Sequence, residues 1–313
     1  MTDRSPTLTA VDGHGAGRLV PTPAGRVWVE TEGSGPPVVL VPGGPGAAHT
    51  HYHPWFSALA ARRTVVYLDQ LGTGRSDRLA DPAGYGVGLY ADTLGVVLDA
   101  VGAGRAHLVG ISFGGVPAAE FAARHPERTR SLTLVDAQVD AEGWQSSNVD
   151  RVNREVADLW PDTWARLLRL RDDGVLSGDP RYQDLLAPVL EVLEWRRPDH
   201  PALRRDPASA FDVGTYLAFL GGDPEWVVGG ALAGHTVLDR LRPHRLPTLV
   251  LTGRHDRVTV PAVAARTAAA LGPGAVALHV FEDSAHRPWA EEPEAFTAVL
   301  TAFLDRCEAA AGP

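Results

Sequence analysis

The chain of 313 residues contains no lysine, so all 29 of its basic residues are arginine. This absence excludes Schiff-base chemistry and the phosphate-binding lysine of a P-loop. The single cysteine, Cys307, cannot form an internal disulfide, so folding does not require an oxidising compartment. No run approaches the roughly 18 apolar residues of a membrane-spanning helix, and no apolar secretion signal follows Met1. We therefore expect a cytoplasmic protein with no membrane partner.

Negative charge predominates, because 38 acidic residues against 29 basic residues give a formal net charge of −9. Such a chain has no electrostatic reason to bind nucleic acid. Its hydrophobic content of 44% and charged content of 21% are typical of a folded globular protein rather than a disordered one. The composition favours a soluble enzyme acting on a small molecule or a short peptide, and it leaves the oligomeric state open.

Short apolar runs alternate with alanine-rich amphipathic stretches, a pattern that predicts an α/β fold with a mainly parallel central sheet flanked by helices. The predicted strands are residues 25–31, 37–41, 64–68, 107–111, 131–135, 247–252 and 276–281. The predicted helices are residues 90–101, 116–124, 261–271 and 294–307. The last helix has an apolar ladder of Phe296, Leu300, Phe303 and Leu304, which should face the core.

The alternation stops after Asp136 and resumes near Leu246. The intervening segment is rich in tryptophan and has helical patterns at residues 160–170 and 182–193. We interpret residues 138–237 as an inserted helical cap over the carboxyl ends of the strands, where open α/β sheets bind ligands. Residues 1–137 and 238–313 would then form the core. The alternative is an independent interaction module.

Residues 110–114 (GISFG) form a G-x-S-x-G motif directly after a predicted strand and directly before a predicted helix. A tight strand-to-helix turn needs small flanking residues and exposes the hydroxyl of Ser112. The amino terminus of the following helix also favours developing negative charge. The motif therefore predicts a nucleophilic serine, against the simpler reading of a glycine-rich turn.

A nucleophilic serine needs a base, and the base needs an orienting acid. His286 follows the last predicted strand and Asp256 follows the preceding one. The chain order Ser112, Asp256, His286 is the order that a nucleophile elbow requires. We predict these three as the catalytic residues, with Asp136 and Asp283 as alternative acids.

Residues 42–46 (PGGPG), which we call the glycine loop, follow the buried strand at residues 37–41. Glycine allows a backbone N–H to approach a reacting carbonyl closely. We expect the N–H groups of Gly44 and Phe113 to form an oxyanion hole, although a plain turn is the alternative.

Two other local patterns are predicted to be structural. His49, His51 and His53 alternate in a way that suits metal ligands, but no acidic ligand follows at a supporting spacing. We therefore expect no metal, and a segment that lines the mouth of the pocket. Arg75 and Asp77 flank a glycine turn, where we expect them to form a salt bridge.

The GISFG motif, the glycine loop and residues 69–76 (DQLGTGRS) together resemble the α/β-hydrolase fold, and within it the proline iminopeptidase group of serine peptidases. The resemblance spans about residues 25–305, is poor through the first two thirds of the predicted cap, and recovers at residues 222–226 and 238–256. The family's usual His-Gly-Gly-Pro-Gly begins here with Pro42.

In that family a glutamate at the position of Glu225, and an acidic residue directly after the triad aspartate, help hold the free α-amine of the substrate. This chain has Arg257 at the second position. An ammonium group should then bind poorly unless Arg257 pairs with Glu225 or turns outward. We expect Glu225, Arg257 and Trp226 to contact the substrate in a largely apolar pocket.

The motifs and the resemblance together imply a serine hydrolase without a cofactor. It would act through an acyl-enzyme on a small amide or ester, as in the release of an N-terminal proline-like residue. The alternatives on the same fold are an esterase, lactonase or amidase, and a biosynthetic lyase or cyclase acting on a natural-product intermediate. A receptor-type α/β hydrolase, which binds a ligand without turnover, is the non-enzymatic alternative.

Overall fold

One eight-stranded sheet organises the computed structural model, which describes residues 17–197, 211–273 and 276–310. In chain order its strands are β1 (Gly17–Thr22), β2 (Gly25–Gly33), β3 (Pro37–Val41), β4 (Thr64–Leu68), β5 (Ala106–Ile111), β6 (Thr129–Val135), β7 (Thr248–Gly253) and β8 (Val276–Phe281). Their spatial order is β1-β2-β4-β3-β5-β6-β7-β8. β2 pairs antiparallel with β1 and β4, and the other neighbouring strands are parallel.

Helices follow the strands and cover both faces of the sheet. They are α1 (Val87–Ala100), α2 (Gly115–Arg124), α3 (Ala141–Trp144), α4 (Asp150–Leu159), α5 (Pro161–Asp172), α6 (Pro180–Leu193), α7 (Val213–Leu220), α8 (Leu238–Leu241), α9 (Pro261–Leu271), α10 (Pro288–Glu291) and α11 (Pro293–Ala310). Helices α1, α2 and α9 pack on one face, and α11 packs on the other with two short turns, His49–Tyr52 and Ser57–Ala61. Across the described ranges, each helix is too short or too polar to span a lipid bilayer.

The continuous apolar runs of the central strands are explained by burial on both faces. In β3, Val39 and Val41 contribute to the core beneath α1 and α2, whereas Val38 and Leu40 contribute to the core beneath α11. Neither face can therefore carry polar residues, and the strand loses the alternation that a half-exposed strand shows. The predicted ladder of α11 is confirmed, since all four of its side chains are buried in the second core.

A helical insertion lies between β6 and β7 and contains α3 to α8. Helices α4, α5 and α6 share a small core of their own, formed by Val152, Val156, Leu167, Tyr182, Leu186, Val189 and Leu193. Helix α7 instead joins the main core, where the ring of Phe219 lies 4.8 Å from that of Tyr90 and 4.9 Å from that of Phe113. The insertion is thus attached to the sheet through α7. Residues 198–210 of the predicted cap, and residues 1–16 of the predicted core, lie outside the described residues.

Two local expectations from the sequence differ from the structure. The predicted strands omit β1, a half-exposed antiparallel edge strand. The expected pairing of Arg75 with Asp77 is wrong, because β2 brings Arg26 to Asp77, with Nε 2.9 Å from Oδ2. The guanidinium of Arg75 lies over the ring of Trp28 at 4.7 Å instead.

Truncation of Leu300 tests the packing of α11. Leu300 is fully buried, whereas Leu278 on β8 is 43% exposed and serves as a matched control. We expect Leu300→Ala to lower the free energy of unfolding by about 3 kcal/mol, because it removes buried methyl groups and leaves a cavity. Leu278→Ala should cost less than about 1 kcal/mol. Urea denaturation of both variants measures the difference, and equal losses would contradict the assigned packing.

Candidate active site

Ser112 lies on the tight turn that joins β5 to α2. Its φ is +51°, a left-handed conformation that is uncommon for a residue with a side chain. A Cβ atom at Gly110 would lie 2.6 Å from Cα of Gly115. A Cβ atom at Gly114 would overlap the carbonyl oxygen of Val41. The turn therefore requires glycine on both sides of the serine, as the motif predicts.

The side chains predicted to be catalytic follow parallel strands that are neighbours in the sheet. Ser112 directly follows β5, and Asp256 and His286 lie in the loops after β7 and β8. Asp136 directly follows β6, and the pairing of Ile111 with Val135 puts it in register beside Ser112. Because parallel strands end at the same edge, these loops meet there.

His286 and Asp256 form a buried hydrogen-bonded pair. Nδ1 of His286 is 2.8 Å from Oδ2 of Asp256, and the two residues are 7% and 3% exposed. The other oxygen, Oδ1, accepts hydrogen bonds from the N–H groups of Val258 (2.8 Å) and Thr259 (2.9 Å). Burial lowers the pKa of His286, but the Asp256 carboxylate outweighs it and holds this pKa above the ordinary value. The imidazole is thus a strengthened base whose Nε2 is left for a reacting group.

Of the two alternative acids, Asp136 is close to the pair and Asp283 is not part of it. One donor atom each from Asp136, Asp256 and His286 lie within 4.8 Å of one another. Oδ1 of Asp136 accepts a hydrogen bond from the N–H of Gly253 at 2.9 Å. Burial and the neighbouring Asp256 carboxylate raise the pKa of Asp136 well above its usual value. Asp283 is exposed.

The glycine loop packs against the serine turn. A Cβ atom at Gly43 would be 3.0 Å from both Cβ of Ser112 and the carbonyl oxygen of Ile111. The N–H of Gly43 donates a hydrogen bond of 2.9 Å to the hydroxyl of Tyr52, which is buried. Gly44, with φ of +112°, is the next residue along this loop. The glycine loop thus has a fixed position beside the serine turn, which an oxyanion donor would need.

The predicted pocket-mouth location is wrong for His49. This residue is fully buried, and its Nδ1 lies 2.8 Å from Oδ1 of Asp69. Its side chain is held there because β2 brings the buried carboxylate of Glu30 to the other ring nitrogen, Nε2, at 3.5 Å. His53 stacks on Tyr67, with the ring centroids 3.9 Å apart.

A model of the α/β-hydrolase fold family matches residues 36–293. The chain belongs to the α/β-hydrolase family. This assignment agrees with the parallel sheet, the serine turn and the loops described above, and it identifies the protein as a member of a hydrolase family.

Several proteins similar to this hydrolase share nearly its whole length. The proline iminopeptidase of Heyndrickxia coagulans is 27% identical over 280 residues, covering 88% of this chain and 93% of its own. The 2-hydroxymuconate semialdehyde hydrolase of Pseudomonas sp. (strain CF600) is 32% identical over 291 residues, covering 91% and 93%. The crystal structure of proline iminopeptidase from Mycobacterium smegmatis has 30% identity and a TM-score of 0.77, covering 95% of this chain and 100% of its own.

Glu225 is a buried carboxyl group inside the helical insertion of the hydrolase. Its Oε1 accepts hydrogen bonds from the hydroxyl of Tyr216 (2.9 Å) and the amide of Gln183 (3.1 Å). Its own N–H donates to the hydroxyl of Ser177 at 3.0 Å. Burial raises the pKa of Glu225 above the usual value despite these donors. The carboxyl group is therefore fixed in place by its hydrogen bonds.

The other two predicted substrate contacts lie differently. The side chain of Arg257 is 48% exposed, and its Nε is 4.0 Å from Oε2 of Glu155, so it has turned outward. The indole N–H of Trp226 donates to the hydroxyl of Tyr182 at 2.9 Å, and its ring is stacked with that of Trp164. Both residues have contacts of their own, and their role in substrate binding stays a prediction.

No pattern in the sequence predicts that the end of α6 contacts the loop of His286. The N–H of His286 donates to the carbonyl of Glu194 at 3.1 Å. The guanidinium of Arg287 pairs with the carboxylate of Glu194, and it lies 5.0 Å above the ring of Trp195. The local signals are weak. Glu194 directly follows a helix and Arg287 directly follows the predicted catalytic histidine, but neither position predicts that the two side chains pair.

Glu291 on α10 completes this attachment. Its Oε2 accepts from the N–H of Ala285 at 2.7 Å, and its Oε1 accepts from the N–H of Arg196 at 2.8 Å. One carboxylate thus bridges the histidine loop and the chain that leaves α6. The imidazole is oriented by backbone bonds on one side and by Asp256 on the other.

Removal of the Glu291 carboxylate tests this bridge. We expect Glu291→Ala to lower kcat for an aryl ester by about ten- to a hundredfold with little change in KM, because small displacements of a catalytic group are costly. Glu294→Ala, on the exposed side of the adjacent helix α11, is the matched control and should keep the original kcat. Steady-state kinetics, with thermal unfolding to confirm the fold, measure this. Equal kcat values for the two variants would contradict the bridge.

Proposed function

We propose that this protein is a serine hydrolase that acts through an acyl-enzyme on a small amide or ester. Ser112 attacks the acyl carbon, and Nε2 of His286 accepts its proton and later delivers it to the leaving group. Asp256 holds the imidazole tautomer and stabilises the imidazolium that forms. Water then releases the acyl group. The observation that carries the proposal is the 2.8 Å bond between Nδ1 of His286 and Asp256, in loops at the edge where Ser112 ends its strand.

The oxyanion of the tetrahedral intermediate is held by the N–H groups of Gly44 and Phe113. Support comes from the contact of the glycine loop with the serine turn, and from the start of α2 at Gly115, two residues after Phe113. Peptide dipoles at a helix amino terminus favour negative charge. Loss of one oxyanion donor typically costs about 3 kcal/mol of transition-state stabilisation.

Residues 138–237 act as a cap over a core formed by residues 1–137 and 238–313. The separate small core of α4, α5 and α6 supports this division. The contact of Glu194 with His286 brings the cap to the catalytic edge of the sheet. The cap would therefore supply the substrate pocket, as inserted segments at this edge of α/β sheets do.

Glu225 is the feature that favours an iminopeptidase-like specificity. It is a buried carboxyl in the cap, at the position where the proline iminopeptidase family holds the free α-amine of its substrate. Arg257 faces Glu155 and solvent, which removes the main electrostatic objection to an ammonium group at Glu225. The Heyndrickxia coagulans and Mycobacterium smegmatis relatives are both proline iminopeptidases.

The alternative is an esterase, lactonase or amidase that acts on a neutral substrate. Burial raises the pKa of Glu225 and so disfavours the charged form that an ammonium group would need, which favours a neutral substrate. A relative of 32% identity is a 2-hydroxymuconate semialdehyde hydrolase rather than a peptidase.

Covalent labelling tests the nucleophile. We expect a fluorophosphonate to form a single adduct on Ser112, which peptide mass spectrometry locates, and Ser112→Ala to lose the adduct and at least about a thousandfold of kcat on aryl esters. Ser146→Ala, a change at an exposed serine of the insertion, should label as the original protein does. Labelling at another residue, or none, would remove the serine hydrolase proposal.

A comparison of substrates separates the two specificities. If Glu225 holds an amine, prolyl-arylamide is cleaved, and Glu225→Gln lowers kcat/KM for it by about ten- to a hundredfold while aryl ester turnover changes little. Asp184→Asn is the control, because Asp184 is an exposed carboxylate on α6 next to Gln183. Ester turnover without arylamide cleavage in the unchanged protein would instead assign the esterase alternative.

A further inference from the structure

A buried cluster of titratable side chains lies beneath the segment that follows the glycine loop, and the proposed reaction does not use it. Glu30 comes from β2, His49 and His53 come from the short turn at His49–Tyr52 and the residue after it, and Asp69 follows β4. Glu30, His49 and Asp69 are fully buried, and the side chain of His53 is 12% exposed. Three elements thus bring two carboxylates and two imidazoles together, and of these four side chains that of His53 is the most exposed.

We propose that Glu30, His49 and His53 bind one divalent transition-metal ion of the zinc class. One donor atom from each residue lies within 4.8 Å of the others. Two imidazole nitrogens with one carboxylate oxygen are a donor set that proteins use for Zn²⁺, and the nitrogens exclude the oxygen-preferring ions Ca²⁺ and Mg²⁺. Glu30 is the acidic ligand that sequence spacing around the histidines did not provide.

The spacing of the donor atoms suits an ion between them. Oε2 of Glu30 is 3.5 Å from Nε2 of His49, and Oε1 is 3.3 Å from Nε2 of His53. Ligands bonded to zinc at about 2.0–2.1 Å in tetrahedral geometry are about 3.3–3.4 Å apart. Small side-chain rotations would therefore complete the coordination.

The surroundings of the cluster orient its imidazoles for this purpose. Nδ1 of His49 is bonded to Asp69 at 2.8 Å, which directs Nε2 towards Glu30. Asp69 is itself fixed by the N–H groups of His49 (2.8 Å) and Arg75 (2.9 Å). A metal-binding histidine almost always has its second nitrogen held by such a carboxylate or carbonyl. His53 is held by its stacking on Tyr67.

A proton is the alternative to a metal ion in this cluster. Burial alone would lower the pKa of His49, but its hydrogen bonds with Asp69 and Glu30 raise it to about 9.

The catalytic group of Asp136, Asp256 and His286 has a similar spacing but differs in one respect. There the imidazole makes a direct 2.8 Å hydrogen bond with a carboxylate of the group, so no ion fits between them.

The ion would stabilise the protein rather than take part in the reaction. The turn that carries His49 also carries Tyr52, whose hydroxyl holds the N–H of Gly43 in the glycine loop. An ion that joins this turn to β2 would fix the position of the loop. Its loss should therefore lower the melting temperature more than it affects the choice of substrate.

Cobalt titration of the full-length protein, freed of any histidine tag and dialysed against a chelator, tests the proposal. We expect one equivalent of Co²⁺ to bind with the intense visible absorption of a tetrahedral site, to be displaced by Zn²⁺, and to raise the melting temperature. Asp69→Asn should weaken Co²⁺ binding by about ten- to a hundredfold. Glu30→Gln and His53→Gln should abolish the absorption, while His244→Gln, at an exposed histidine, should leave it unchanged.

Circular dichroism confirms that each variant is folded. The titration of the unchanged protein does not depend on the folding of any variant. Absence of stoichiometric, tetrahedral Co²⁺ binding there would overturn the proposal and leave the proton as the occupant. Binding that survives Glu30→Gln and is lost in Asp256→Asn would also overturn it, by placing the ion at the catalytic residues.

Discussion

The parallel pairing of β5, β6, β7 and β8 is the constraint on which the candidate site depends. Strands that run in one direction end at one edge, so residues distant in the chain become neighbours there. The loops at this edge are also bonded to each other: Gly253 donates to Asp136, and the N–H of His255 donates to the carbonyl of Ser284. These bonds fix the separation of the loops, so the bond between Asp256 and His286 needs little further ordering.

Elements with a clear local pattern are those that the sequence predicts best. β3, β4 and β8 have the predicted bounds, as does α9, because short apolar runs or regular alanine-rich spacing define them locally. β1 escapes prediction for the opposite reason. It is an edge strand, paired with β2 only, in which Val20 is the one buried residue, and it contains Pro21, so its short pattern resembles a loop.

The residues of the candidate site also differ in whether a local sequence pattern predicts them. The serine turn has a local signal because glycine is sterically required at Gly110 and Gly114. The choice between Asp136 and Asp256 has none, since both follow strands and only side-chain direction decides which one reaches the imidazole. The outward direction of Arg257 depends in the same way on Glu155, which belongs to the insertion. Glu30 is close to both histidines in space, but it comes from β2 and is distant from them in the chain. No rule based on sequence spacing therefore finds it.

The attachment of α6 to the histidine loop links the position of the insertion to the orientation of the His286 imidazole. The backbone of His286 is bonded to Glu194, and Arg287 and Glu291 secure the same stretch of chain. Any displacement of α6 would therefore also move the backbone of His286 and disturb the alignment of its imidazole. In the proposed reaction, proton transfer would then depend on the position of the insertion as well as on the catalytic side chains themselves.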